Sequence, residues 1–454
     1  MKKAVFALVV LVCIGLIGPK LVGGIVEEKY QDITNRLNEN PSIVITEHNF
    51  TRDWFSGQAV STMKFKDVEL DDVDIIVTEQ LNFGPFIFAD NEFTLALAKS
   101  VADIDVEVTN IDETDKKEIA ALIQQLNEKL SITSVINYRF NYTTHIVLDA
   151  IEFEQDGSQV NIGVLESEFT LSDEKYLEGY INWAGLDFKG PDMNVQVSPL
   201  TTTFTQEVIS GDYYAGNAIA AGDLSMQLSN IIAKDNNGNE LLNIEHLTFF
   251  VETAIEQDLM NLHLKYAADS IKGAGQELEK LNFDLALNKL DPQVLIELNE
   301  LGVKMQQDPA KIEQFSQQLT MAATKLLAKD PEININDLSV VTADGVIKSE
   351  LKLVIDHTLY DQANPMSIIA AINADAKGVA PLPFFQKLGL AGMIDMYVEQ
   401  GFIIKEADQL SFAAQFMQGQ LTINWLNPSA QPKVNPHEKH FMIITLCSTV
   451  FCIT

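Results

Sequence analysis

Cysteine is nearly missing from this sequence. Among its 454 residues only Cys13, Cys447 and Cys452 are cysteines, and none lies between Val26 and Val434. That excludes a disulfide framework or a cysteine-based metal site from the bulk of the chain, and it is compatible with a thiol-oxidising compartment. Positive charge is scarce too. Lys and Arg number 31 against 64 Asp and Glu, for a formal net charge of −33. A body this negative repels phosphate backbones, which argues against a nucleic-acid partner. It also argues against lying flat on anionic lipid headgroups.

Motifs that carry chemistry are missing as well. There is no Gly-x-Ser-x-Gly elbow and no Gly-Lys-Ser/Thr phosphate loop. Gly273, Ala274 and Gly275 begin like a dinucleotide fingerprint, but Leu278 stands where the last glycine belongs. Of the histidines, His48, His145, His246, His263 and His357 have no partner at metal-ligand spacing, and His437 and His440 lie in an atypical tail. Acidic residues are so abundant that any two could be nominated as a hydrolase dyad, so the signal carries almost no information. No catalytic, cofactor-binding or metal-binding residue is assigned, and no cofactor is expected.

What is present begins at the N-terminus. Met1, Lys2 and Lys3 form a short basic start, and Ala4–Ile17 follows without a charge. This is the order of an export signal. Residues 1–26 are read as a retained membrane anchor with its N-terminus in the cytoplasm. The alternative is cleavage after Gly24, which would leave a soluble body. Cys13 follows Val12 rather than a small residue, so it reads as an ordinary apolar cysteine and not as a lipid-attachment site.

Residues 27–434 are read as one β-rich body, with two packed halves near 27–290 and 291–434. Residues 27–40 predict a polar helix that ends before Pro41. Ser42–Thr46, Ala59–Phe65, Val68–Val77 and Phe93–Val108 alternate with a period near two and predict strands. Asp115 opens a helix with the stripe Ile119, Leu122, Ile123, Leu126 and Leu130. Asp291–Pro292 and Asp308–Pro309 open two more, and a fourth is expected from Pro383 to Gln400. Asp156–Gly157, Asn237–Gly238 and Asp344–Gly345 each separate two strand patterns, as tight hairpin turns require. The fold class expected is α+β and β-rich: long curved antiparallel meander sheets built from hairpins, with a few amphipathic helices packed on them. Asp235–Glu240 lacks the remaining spaced acids of a calcium loop and reads as a hairpin turn. Residues 435–454 lose the acidic bias and form the atypical tail.

Two stretches stand out. Arg52, Trp54, Phe55 and Ser56 follow the first strand, and Gly84 and Pro85 sit in an aromatic-rich turn from Asn82 to Phe88. On packing grounds alone, Trp54 and Phe55 are expected to cap a sheet core, with Gly84 and Pro85 making the turn. The same residues, with a closing hairpin from Leu410 to Asn424, resemble the YdgA-type family of uncharacterised bacterial envelope proteins. The chain departs from that pattern at Phe83, where a histidine usually precedes Gly84–Pro85, and at Trp425, where a glycine often follows Asn424. The resemblance implies an inner-membrane anchor, a periplasmic body and no established activity. More remotely, the strand-turn-strand grammar is similar to AsmA-like proteins, linked to lipid transport and outer-membrane homeostasis. The leading expectation is a non-enzymatic anchored protein with an apolar face for a lipid or partner. A protein-interaction module of the envelope is the alternative, and a hydrolase of envelope polymers is the weakest reading.

Overall fold

A computed structural model describes residues 2–424 apart from 67–72, 90–91, 109–119, 121–122, 156, 274, 308–310 and 362–363. The expected helix start at Asp115, the Asp308–Pro309 cap and the tail 435–454 lie outside the described residues. The chain divides into two compact units, Met1–Leu242 with Ile296–Leu319, and Asn243–Leu295 with Thr320–Thr454.

Unit 1 opens with helix α1 (Lys2–Glu39). Strands β1 (Ile43–Arg52), β2 (Ser56–Phe65), β3 (Val73–Phe83), β4 (Phe86–Ala89), β5 (Glu92–Leu95) and β6 (Ala98–Val108) follow. Residues 123–129 are helical (α2), and Leu130, expected on that helix, already opens β7 (Leu130–Ile136). The unit continues through β8 (Tyr142–Leu148), β9 (Ile151–Gln155), β10 (Ser158–Ile162), β11 (Leu165–Ser172) and β12 (Tyr176–Trp183). It then runs through β13 (Leu186–Lys189), β14 (Met193–Val197), β15 (Leu200–Ser210) and β16 (Ile219–Asp235). Antiparallel ladders join β1, β2, β3, β6, β7 and β8 in that order, then β11, β12, β15 and β16. The far half of β16 pairs instead with β14, which leads back through β13 and β10 to β9. Hairpin β4–β5 forms a small sheet of its own. It splits what the alternation read as one strand from Phe93 to Val108.

After β17 (Glu240–Glu256), unit 2 runs through β18 (Leu259–Gly273), β19 (Gln276–Leu290), β20 (Glu332–Thr342), β21 (Gly345–Ile355), β22 (Ile372–Pro381), β23 (Ile404–Glu406), β24 (Gln409–Met417) and β25 (Gln420–Ile423). The ladder β18–β19–β20–β21–β22–β24–β25 is antiparallel throughout, with β23 also on β24. Helices α3 (Pro292–Gln307) and α4 (Ile312–Leu326) are divided between the residue ranges of the two units. The short α5 (Ile368–Ala371) precedes β22. The single helix expected from Pro383 to Gln400 is two, α6 (Leu382–Lys387) and α7 (Ala391–Glu399). Gly389 between them has φ +77°, a left-handed conformation that ends the first helix.

The hairpins set the meander. Ser158 pairs Gln155, which puts Gly157 in the turn between the two strands, while Asp156 of the expected turn lies outside the described residues. At β20–β21, Thr342 pairs Gly345, so the turn is Ala343–Asp344, one residue earlier than the Asp344–Gly345 turn expected. The α+β, β-rich class with a long antiparallel meander therefore holds.

Candidate functional site

The site starts from the small residues of β2. Alternation turns Gly57, Ala59 and Ser61 to the buried face, and β6 adds Ala98 and Ser100. Short side chains let a helix lie close to the sheet. The C-terminal part of α1 lies there, with Val26 packed in one core with Ala59, Leu81, Phe83 and Ala98. Val22, Tyr30, Phe50 and Ile136 pack around that core.

Residues that the sequence singled out hold the helix between Leu16 and Glu27. The Asp53 amide donates to the Ser56 carbonyl (2.8 Å), which closes a turn between β1 and β2. That turn aims Trp54 and Arg52 at α1. Trp54 Nε1 donates to the Leu16 carbonyl at 2.6 Å, and Lys20 Nζ lies 4.5 Å from the indole centroid. Arg52 pairs with Glu27 at 3.2 Å. The Phe55 carbonyl accepts from the Phe83 amide at 2.8 Å, which ties the turn to the end of β3. Trp54 and Phe55 are 47% and 50% exposed, so they do not cap a sheet core as the packing argument expected. Trp54 instead bonds the helix, and the sheet end is filled by Phe83, 2% exposed.

Gly84 and Pro85 complete the seat. The Gly84 amide donates to the Leu97 carbonyl at 2.7 Å, and the peptide bond between Gly84 and Pro85 is cis. A Cβ on Gly84 would lie 1.7 Å from the Ala96 carbonyl oxygen, so only glycine fits. A Cβ on Gly18 would meet Pro85 at 2.7 Å, so the helix rests directly on that ring. Pro19 sits inside α1 and is fully buried. A proline in a helix interior costs about 3 kcal/mol, and its burial offsets part of that. Asn424 belongs to unit 2. It is 1% exposed, accepts from the Ala413 amide (3.1 Å) and donates to the Gly401 carbonyl (2.8 Å), locking the end of the last hairpin.

Beyond the motif, α1 roofs a cavity of about 240 Å³. Its walls are mostly apolar, with Val26, Ile33 and Leu37 from the helix and Ile45, Val77 and Leu81 from the sheet. One corner is polar. Tyr30 donates to Glu79 at 2.8 Å and stacks on His48 with centroids 5.2 Å apart. Burial and then the Glu79 charge push the Tyr30 hydroxyl well above its ordinary range, so it stays a neutral donor. His48 Nδ1 lies 3.0 Å from Ser61 Oγ, while Nε2 is buried without a hydrogen-bond partner. Burial lowers the His48 pKa.

Past the cavity, ion pairs fix the end of α1. Lys29 and Arg36 both bind Glu174, and Arg36 also binds Asp212 and stacks over Tyr214 at 4.8 Å. The Lys29 hydrogen bond, opposed by burial and joined by Arg36, holds the Glu174 carboxyl below its usual range. Tyr214 is pushed up to about 12, chiefly by burial. The sequence singled out none of Tyr30, Glu79, Glu174 and Asp212, and it named His48 only to set it aside as a metal ligand. Only one weak signal pointed there, since Tyr30 is the sole aromatic in the polar stretch 27–40.

Among the described residues, Asp330, Asp356 and His357 bring ligand-type atoms within 4.8 Å of one another. Each has a local structural task. Asp330 accepts from the backbone and ring of His357 at 2.8 and 2.7 Å, and Asp356 caps the turn at Thr358. Among the described residues no helix is long and apolar enough to cross a membrane. The side chains of residues 1–14, just over half of the 26 residues read as an anchor, lie outside that description.

A family model described as "Bacterial protein of unknown function (DUF945)" matches residues 1–424. The chain belongs to this family. No curated protein and no solved structure matches it. The DUF945 match ends at Asn424, the residue that closes the last hairpin of unit 2. It starts at Met1, so the segment that forms α1 belongs to the family as the strands do.

Proposed function

We propose that this DUF945 protein is a non-enzymatic envelope protein of the YdgA type. In this reading its N-terminal segment is held in the bacterial inner membrane, its body lies in the periplasm, and it binds one apolar chain beneath α1. The remote AsmA-like grammar of strand, turn and strand fits a role in envelope lipid maintenance. The observation that carries the reading is the 240 Å³ cavity between α1 and the sheet, apolar on most of its wall and polar at one corner. Ligand sites usually measure roughly 300–1,000 Å³, so this one suits a single acyl segment rather than a whole phospholipid. Tyr30 and Glu79 would orient a polar end there, and the net charge of −33 speaks against an anionic headgroup deep inside.

The test is solvent extraction and mass spectrometry of the full chain, purified in one detergent as wild type and as Val77→Phe. Val77 lines the cavity, and the larger ring fills it. A stoichiometric acyl-bearing molecule present in the wild type and lost in Val77→Phe is the expected outcome. Equal recovery from both would show that the molecule comes from lipid around the anchor, and the cavity would lose its assigned role.

A further inference from the structure

Aromatic side chains gather where α1 enters the body. Trp54 and Phe55 come from the β1–β2 turn, Phe88 and Phe93 from hairpin β4–β5, and Tyr138 and Phe140 from the β7–β8 turn. All six are exposed, Phe88 the most at 79%. Each group is fixed to one short stretch of the helix. Trp54 bonds the Leu16 carbonyl. Phe86, next to Phe93 at 6.5 Å, reaches to 3.4 Å of the Gly15 Cβ position. Tyr138 donates to the Pro85 carbonyl at 2.7 Å, and Pro85 rests on Gly18. Phe140 lines a crevice with Val22 and Ile25. On α1 itself Leu16, Ile17 and Leu21 are also exposed.

Three segments far apart in sequence thus place an aromatic collar along the Gly15–Ile25 stretch of one helix. A core contact would bury these rings, and a solvated surface would not gather them. The length of the helix names the occupant. The uncharged run Ala4–Ile17 reaches only about 21 Å as a helix, against a hydrocarbon core of roughly 30 Å. The run stops at the level of the collar, where Lys20 lies over the Trp54 ring. Apolar surface continuous with a short membrane segment, with Trp and Tyr at its rim and a cation beside them, has the composition of a bilayer interface.

We propose that the collar, led by hairpin β4–β5, inserts into the outer leaflet of the membrane and supplies the thickness that the helix lacks. This rests on the anchored reading above. Asp53 and Glu92 mark its polar side, with Glu92 paired to Lys99 at 3.3 Å. The collar sets both the depth and the tilt of the body. Acidic surface elsewhere keeps the remainder off the headgroups.

The experiment uses the full chain with Trp183→Phe and Trp425→Phe, which leaves Trp54 as the only indole. It is reconstituted in phosphatidylethanolamine–phosphatidylglycerol vesicles that contain lipids brominated at shallow or deep acyl positions. Shallow bromines are expected to quench Trp54 about twofold, and deep ones less, as for an interfacial ring. A chain that resists alkaline extraction yet shows no quenching at either depth would overturn the collar and leave the anchor standing. A chain released by alkali would overturn both. Adding Phe88→Ser and Phe93→Ser is expected to keep alkali resistance and remove about half of the quenching. Unchanged quenching would overturn the part assigned to the hairpin.

Discussion

The two units cover their sheets with helices in different ways. In unit 2, α6 and α7 bury Leu382 and Ile394 with Leu410, while Phe385, Val398 and Ile403 pack around them. The polar element of that region is Asn424, and its side chain is bonded at both ends. In unit 1 the covering helix lies on glycine, alanine and serine, and under it remain a cavity and a Tyr30–Glu79–His48 corner with one ring nitrogen unpaired. The same strand grammar thus carries a packed apolar cluster in one unit and a roofed cavity in the other. In unit 1 the small residues of β2 and β6 bring the helix close without filling the space beneath it.

The sharpest way to break the unit 1 arrangement is Gly84→Ala. The new Cβ would fall on the Ala96 carbonyl, so unit 1 is expected to lose more than about 3 kcal/mol. Denaturant unfolding checks the loss, and protection of β18–β22 amides in hydrogen exchange should be unchanged. For unit 2 the matching change is Asn424→Ala. It strands a buried amide and a buried carbonyl at a residue with φ +52°, and about 2 kcal/mol is expected. Asn424→Gly should cost no more than Asn424→Ala, because glycine accepts that backbone conformation freely.

His48 sharpens the comparison through pH. Its pKa is lowered in the folded state, so the unfolded chain binds the proton more readily. Its contribution is complete above about pH 6.5 and is lost as pH falls below that value. His48→Phe, which keeps the stack on Tyr30, is expected to flatten the stability profile between about pH 7 and 5. A profile parallel to that of the wild type would remove His48 from the account. The smallest effect is expected for Glu174→Gln. Glu174 and Lys29 are each more than a third exposed, so the loss should be about 0.5 kcal/mol. Because the folded Glu174 pKa is depressed, the wild-type contribution is present above about pH 4 and disappears as pH falls further. Amide exchange across Lys29–Leu37 should quicken in the variant at pH 7 and match the wild type in acid.

Much of the fold was legible in order. Alternation marked the strands because a half-buried sheet face imposes period two on its own sequence. Asp291–Pro292 marked the start of α3 for an equally local reason. The misreadings came where contacts overruled local pattern. Phe93–Val108 was one alternating run, yet Ala96 is fully buried and the chain breaks there to let Gly84 pass. Gly389 was hidden in a helical stripe because spacing does not reveal a positive φ.

Of the site, the sequence singled out Arg52, Trp54, Phe55, Ser56, Gly84, Pro85 and Asn424 as positions, and the only tasks it suggested were a sheet-core cap for Trp54 and Phe55 and a turn for Gly84 and Pro85. It determined by itself the charge, the basic start and apolar run, the strand periods and the turn residues. All of these depend on neighbours within a few positions. The tertiary structure decided that Trp54 reads Leu16, that Arg52 meets Glu27, and that Glu174 and Asp212 grip Lys29 and Arg36. It also stacked Tyr30 on His48 beside Glu79, and gathered three distant segments along the Gly15–Ile25 stretch of one helix. These pairings join residues up to 176 positions apart. No local spacing encodes them, because they follow from how one helix settles on one face of a sheet.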